Sequence, residues 1–130
     1  MSSTLMIFIG ENEKFDFDST VRAISNMENI NNLIIREENL TKENSIGFIL
    51  DADYKYDDQN ITSIHFANSL DFISAERLGK ASLDFALKLQ GLIEVPLTAT
   101  NTDYSFQGKL KNISSIQEFE QIMSSGVYME

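Results

Sequence analysis

The sequence contains no cysteine, and this absence removes several kinds of chemistry at once. Disulfide bonds, thiolate nucleophiles and cysteine-based zinc sites are all excluded. The single histidine, His65, excludes metal sites that need two or more histidine ligands. A chain without cysteine fits a reducing compartment, and the N-terminal residues lack the basic segment of a secretory signal peptide. We therefore expect a cytoplasmic protein.

Long apolar runs and flexible linkers are also missing. No apolar stretch approaches the roughly 18 residues that a membrane-spanning helix needs, so we expect no membrane partner. One proline and six glycines among 130 residues leave no linker-like segment. The length is that of an ordinary domain, and an apolar content of 42% is enough for a core. These features predict one domain over residues 1–130.

Basic residues are scarce, and this limits the partners that the chain can bind. Ten lysines and arginines stand against 20 aspartates and glutamates, which gives a formal net charge of −10. Residues 1–69 carry 12 of the acids and five of the bases, so the negative charge is concentrated in the first half. Phosphate binding needs a high density of lysine and arginine, so we expect no nucleic-acid partner. A basic protein, in contrast, would be attracted.

Sequence motifs for catalysis and cofactor binding are absent as well. The chain has neither of the glycine-rich loops that hold the phosphates of nucleotides, and no Gly-x-Ser-x-Gly turn that would present a nucleophile. His65 alternates with the apolar residues Ile64 and Phe66, which predicts an outward-facing side chain on a strand. We therefore expect no enzymatic activity and no cofactor.

Apolar periodicity predicts nine elements in the order β-α-β-β-β-α-β-β-α. The clearest is a hairpin of strands 45–56 and 61–67, with Ile64 and Phe66 facing inward. The other predicted strands cover residues 5–9, 33–38, 92–98 and 104–111. The predicted helices start at Asp18 or Ser19, cover about 71–90, and run from Ser114-Ser115 to Gly126.

Adjacent runs of strands separated by helices predict an α+β fold, with a mostly antiparallel sheet and helices packed on one face. The β-α-β start resembles the split arrangement of ferredoxin-like folds. The additional strand and the final hairpin do not fit that arrangement cleanly, so we treat it only as a variant.

The segment from Asp51 to Asp58 has the highest density of carboxylates, with four in eight residues. Such a segment could bind a hard cation through oxygen ligands. The spacing does not match the calcium-binding loop, because Lys55 occupies a ligand position and Tyr56 replaces the required glycine. We therefore predict no metal site. Alternation instead places Asp51 and Asp53 on the outer face of a strand, with Asp57 in the following turn.

These features together favour a non-catalytic, acidic protein-binding domain. Its concrete form would be an inhibitor or immunity-type protein that occludes a basic partner, since complementary charge accelerates association. The candidate partner-binding residues lie on two adjacent strands and the turn that follows them: Glu37, Glu38, Asp51, Asp53, Asp57 and Asp58.

Two alternatives remain open. The chain could be a small-ligand-binding or enzyme domain with a pocket between sheet and helices, which no motif supports or forbids. It could also be a subunit of a larger assembly. The outward parity of Ile49 and Ile61 predicts an apolar contribution to the exposed sheet face, which would favour a homodimer.

Overall fold

The structure is a computed structural model that describes residues 4–9, 15–39, 46–67, 72–102 and 106–125. The elements, in chain order, are β1 (Thr4–Phe8), α1 (Phe17–Ser25), β2 (Ile30–Asn39), β3 (Ile46–Asp57), β4 (Asn60–Ala67), β5 (Phe72–Glu76), α2 (Lys80–Leu92), β6 (Thr98–Asn101), β7 (Gln107–Lys109), a short 3-10 turn (Leu110–Asn112) and α3 (Ile116–Ser125).

The seven strands form one sheet in the order β2-β3-β4-β5-β1-β6-β7, and every pairing among the described residues is antiparallel. The centre of its inner face is a row of directly opposed apolar residues on five strands: Leu50, Phe66, Ile73, Ile7 and Ala99. All five are buried. The predicted α+β class with an antiparallel sheet is confirmed.

The helices cover the inner face of the sheet through aromatic and aliphatic side chains. Helix α2 contacts β1, β3 and β4, and its Phe85 packs edge-on against Tyr54 with ring centroids 5.5 Å apart. Phe17 of α1 stacks on Phe66 at 5.3 Å. Helix α3 contacts α2, and its Phe119 packs edge-on against Phe106. We call the other side of the sheet the open face. Within the described residues, no helix is both long and apolar enough to cross a membrane.

The predicted order β-α-β-β-β-α-β-β-α is wrong at one element, because residues 72–76 form strand β5 before the second helix begins. Ile73 and Ala75 alternate with Ser74 and Glu76, and only the first pair is buried. Arg77 then adopts a left-handed backbone with φ of 55°, which ends the strand. The helix starts at Lys80, where the Ser82 hydroxyl accepts a hydrogen bond from the Gly79 N–H at 2.9 Å.

This additional strand also changes the topology. In the split arrangement of ferredoxin-like folds, a single strand separates the two strands that flank the first helix. Here β5, β4 and β3 all lie between β1 and β2. The ferredoxin-like order is therefore not observed. Strands β2 to β5 instead form a meander, and β1 pairs with β5 on one side and with β6 on the other.

Several element boundaries also differ from the predictions, and two of them have a clear physical reason. Helix α1 is capped by Asp16 rather than by Asp18 or Ser19, and the Asp16 carboxylate accepts hydrogen bonds from the Ser19 N–H and hydroxyl at 3.0 and 2.6 Å. After α2, the chain reaches the sheet only at Thr98, so that Pro96 lies before β6. A proline outside the strand leaves no gap in the hydrogen-bond ladder.

Candidate functional site

The predicted residue Asp51 lies at the centre of a polar cluster on the open face. It is directly opposite His65 on β4, and its carboxylate lies 2.7 Å from the His65 Nδ1 atom. The Arg36 guanidinium of β2 approaches the other carboxylate oxygen at 3.2 Å. The three side chains come together because antiparallel register places them on one face of neighbouring strands. Asp51 therefore has two cationic or hydrogen-bonding neighbours within its own chain.

Ser74 lies opposite His65 on β5, so that Asp51, His65 and Ser74 follow one another across three strands. This order resembles that of a nucleophilic triad, but the hydrogen bonding differs. The Ser74 hydroxyl donates to the backbone carbonyl of His65 at 3.4 Å, whereas a nucleophilic serine donates to the imidazole ring. Within the described ranges, no group of three acidic or histidine side chains is arranged to hold a metal ion. Among the described residues, the cluster is a cross-strand network of one ion pair, Arg36–Asp51, and two hydrogen bonds.

The other predicted strand residues are divided between the two faces of the sheet. Asp53 lies on the open face and accepts a hydrogen bond from the Asn32 side-chain amide at 3.0 Å. Asn32 sits at a bulge of β2 with φ of 54°, a conformation that asparagine tolerates. Glu37 is exposed and lies opposite Phe48, on the inner side of the sheet edge. The backbone of Glu38 belongs to β2, but its side chain lies outside the described part of the structure.

The last two predicted residues, Asp57 and Asp58, form the turn between β3 and β4, and we call them the acidic tip. One Asp57 carboxylate oxygen accepts hydrogen bonds from the Gln59 N–H (2.9 Å), the Asn60 N–H (3.0 Å) and the Asn60 side-chain amide (2.7 Å). The Gln59 and Asn60 hydrogen bonds lower the pKa of Asp57, so that it stays ionised at neutral pH. The Asp58 side chain is 100% exposed, 3.7 Å from Lys55.

A groove of about 980 Å³ opens on the helix-covered side, next to the acidic tip. One wall is the outer face of α2, where Lys80, Asp84 and Lys88 follow one another at intervals of four residues. The turn 26–29 between α1 and β2 and the first residues of α3 supply the other walls. Tyr56, the second-last residue of β3, also lines the groove and is 40% exposed.

The floor of the groove contains a buried tyrosine paired with an acid. The hydroxyl of Tyr54 donates a hydrogen bond to the Asp84 Oδ2 atom. Burial, and then the hydrogen bond to Asp84 and its negative charge, raise the pKa of Tyr54 well above its usual value. A hydrogen bond from the Asn29 side chain acts in the opposite direction. The phenol is therefore a fixed donor that holds one oxygen of Asp84.

Tyr54 should remain protonated at a pH where a tyrosine in the unfolded chain ionises, which is near pH 10. Up to about pH 11, the folded Tyr54→Phe variant should therefore show the same rise in tyrosinate absorbance as the wild-type protein. Because the raised pKa favours the neutral form only in the folded state, its contribution to stability is complete below about pH 10 and is lost as the pH rises further. A smaller absorbance rise in the folded variant than in the wild-type protein would contradict the raised pKa.

The sequence predicted the acidic residues but not the groove. Tyr54 shares the strand parity of Leu50, and both side chains are buried, whereas no sequence pattern singles out Asp84. The only available signal was the spacing of Lys80, Asp84 and Lys88 along one side of a helix, which is also typical of a solvated face. Comparison with protein-family models, with curated proteins and with solved structures finds no match for this chain. A function for this chain therefore has to be inferred from the contacts and charges described above.

Proposed function

We propose that this chain is a non-catalytic protein-binding domain, of the inhibitor or immunity type, that occludes a basic surface of its partner. The observation that carries the proposal is the acidic tip. Its turn is fixed by three hydrogen bonds to Asp57, and Asp58 projects fully into solvent. Exposed carboxylates on a turn held by hydrogen bonds steer a partner of the opposite charge, and such a turn loses little entropy on contact.

The composition around the acidic tip supports the same proposal. Tyr56 precedes the tip and exposes its ring, and tyrosine is enriched at the centre of protein interfaces. Asp51, in contrast, is engaged by Arg36 and His65. Among the six candidate residues, Asp57 and Asp58 are therefore our first choice for partner contact, and Asp53 lies four residues before Asp57 on β3. Since the chain has no cysteine, we place this contact in the cytoplasm.

Affinity capture tests the proposal. The wild-type protein, immobilised and exposed at low salt to a lysate of the cells that produce it, should retain a basic protein. Asp57→Asn combined with Asp58→Asn should reduce this capture several-fold, and the loss should shrink at high salt because exposed charges are screened. Asparagine keeps an acceptor for the turn hydrogen bonds, so the fold is preserved.

The matched control removes two exposed charges elsewhere, through Asp18→Asn and Glu94→Gln. Capture by this variant should equal that of the wild-type protein. Equal losses in both double variants would show that only the total charge matters. Retention of an acidic partner, or of no protein by the wild-type bait, would contradict the proposal.

The groove favours a second candidate, a small-ligand-binding domain. Its volume of about 980 Å³ and its mixed polar and apolar lining are comparable with those of ligand pockets. A metabolite that raises the melting temperature strongly, by mass action on the folded state, would favour this candidate over protein binding.

The homodimer also remains a proposal, with a different surface from the one predicted. Ile49 has the outward parity expected but is buried, whereas Ile61 is exposed. The larger apolar exposure lies on β2 at the sheet edge, where Ile34 and Ile35 are 61% and 46% exposed. An unpaired edge strand can pair with another chain, and light scattering at two concentrations would detect such a dimer.

A further inference from the structure

Asp84 lines the groove, and only one of its two carboxylate oxygens is engaged within the described residues. Its Oδ2 atom accepts the Tyr54 hydroxyl, whereas its Oδ1 atom has no hydrogen bond or ion pair within the described part of the chain. The side chain is only partly exposed. A half-buried carboxylate with an unused acceptor is well placed to receive a cationic donor.

Charge in and around the groove favours a cation over an anion. Glu28, Asp84 and Glu120 line it, and the acidic tip lies beside it. Of the two lining lysines, Lys80 is close enough to Asp57 for its charge to act on that carboxylate, in addition to the larger effect of the turn hydrogen bonds. The lining therefore carries three carboxylates against two lysines, and the acidic tip adds two more carboxylates beside it.

The walls of the groove match the rest of a long basic side chain. Met27, Leu87 and Leu92 supply apolar surface against which a hydrocarbon stem can pack. The exposed ring of Tyr56 offers a face on which a guanidinium group can stack. Arginine is also the basic residue most enriched among the side chains that dominate binding at interfaces.

We propose that the groove receives an arginine side chain of the basic partner, with the guanidinium group on the free oxygen of Asp84 and the stem against the α2 wall. This inference deepens the proposed function and depends on it. The acidic tip would then steer the partner by its charge, and the groove would hold one of its arginines.

Two variants isolate the groove without disturbing the fold. Asp84→Asn keeps an acceptor for Tyr54 but removes the charge. Gly91→Phe places a ring in the groove, because a Cβ atom at Gly91 meets nothing within 4 Å and the position lies on the lining face of α2. Replacing a helical glycine also favours the helix. Thermal melts should show that both variants are folded.

The test is a titration of the labelled protein with Nα-acetyl-arginine amide, followed through the backbone amide resonances. The amides of Asp84, Lys88 and Gly91 should shift and saturate in the millimolar range. Nα-acetyl-citrulline amide, a neutral isostere, should bind about fivefold more weakly, because charge-assisted hydrogen bonds are about twice as strong as neutral ones. Asp84→Asn should cause a similar loss, and Gly91→Phe should abolish the shifts.

Shifts confined to the acidic tip would overturn the inference. The same holds if Asp84→Asn binds Nα-acetyl-arginine amide as tightly as the wild-type protein does, or if Nα-acetyl-glutamate amide binds more tightly than the arginine compound. Partner capture separates this failure from that of the proposed function. If the variant of the acidic tip loses capture while Asp84→Asn and Gly91→Phe retain it, the partner is bound and the groove is not used. Loss of capture in all three variants supports the groove.

Discussion

Phe85→Ala should lower the free energy of unfolding by about 3–5 kcal/mol. Phe85 is fully buried at the centre of α2 and packs edge-on against Tyr54 of β3 at 5.5 Å. Truncation removes both the transfer free energy of the ring and its contacts, and it leaves a cavity between helix and sheet. Urea denaturation of the two proteins measures the difference.

The conservative variant Phe85→Leu is the control, and it should cost clearly less because it refills most of the space. Phe85→Ala should also loosen the groove, because the Phe85 ring packs against Tyr54 and Tyr54 holds Asp84 there. A loss below about 1 kcal/mol for Phe85→Ala would contradict the packing of α2 on the sheet.

Gln90→Leu should be the second most destabilising change, at about 3 kcal/mol, although the two side chains are similar in size. The Gln90 amide donates to the carbonyl oxygens of Ile93 and Val95 at 3.0 Å each, and its oxygen accepts the Leu97 N–H at 2.6 Å. These bonds hold the chain between α2 and β6. Leucine would leave three backbone groups without partners, and each costs about 1–3 kcal/mol when it is buried.

Gln117→Leu is the matched control, because Gln117 is an exposed glutamine at the start of α3. The same exchange there should change the unfolding free energy by less than about 0.5 kcal/mol. Equal effects at the two positions would show that Gln90 does not hold this connection. Together, the two glutamines separate the contribution of hydrogen bonding from that of side-chain size and hydrophobicity.

Local alternation was sufficient to predict the β3–β4 hairpin, and there the prediction is confirmed. Ile64 and Phe66 face inward, as do Leu50 and Tyr54 on the paired strand. Near the sheet edge, the alternation of inward and outward residues is a weaker guide to burial. Phe48 and Tyr56 have inward parity but stay partly exposed, while Ile49 is buried on the opposite side. Parity determines the face on which a side chain lies, whereas burial depends on what covers that face.

The strand β5 could not be predicted because its sequence fits two periods at once. Phe72 and Ala75 extend the apolar stripe of the following helix, whereas Ile73 and Ala75 alternate with polar residues. Pairing with both β1 and β4 decides in favour of the strand. Such pairings join residues that are distant in the sequence, and local propensity does not report them.

The acidic tip could be predicted from the sequence, because it depends on a turn and its flanking strands. The groove could not, since it requires α2, the turn 26–29 and the first residues of α3 to meet. The pairing of Tyr54 with Asp84 spans 30 residues and crosses from strand to helix. A sequence reveals the charges available for a site, but the fold determines which of them share a surface.

The most direct test of the central claim is the rate at which the captured partner associates with the protein, measured by stopped flow at several salt concentrations. For the wild-type protein, the rate constant should fall steeply as salt increases. The Asp57→Asn, Asp58→Asn variant should associate about tenfold more slowly at low salt, and the two rates should converge at high salt. Equal rates for both proteins at every salt concentration would contradict a contact steered by the acidic tip.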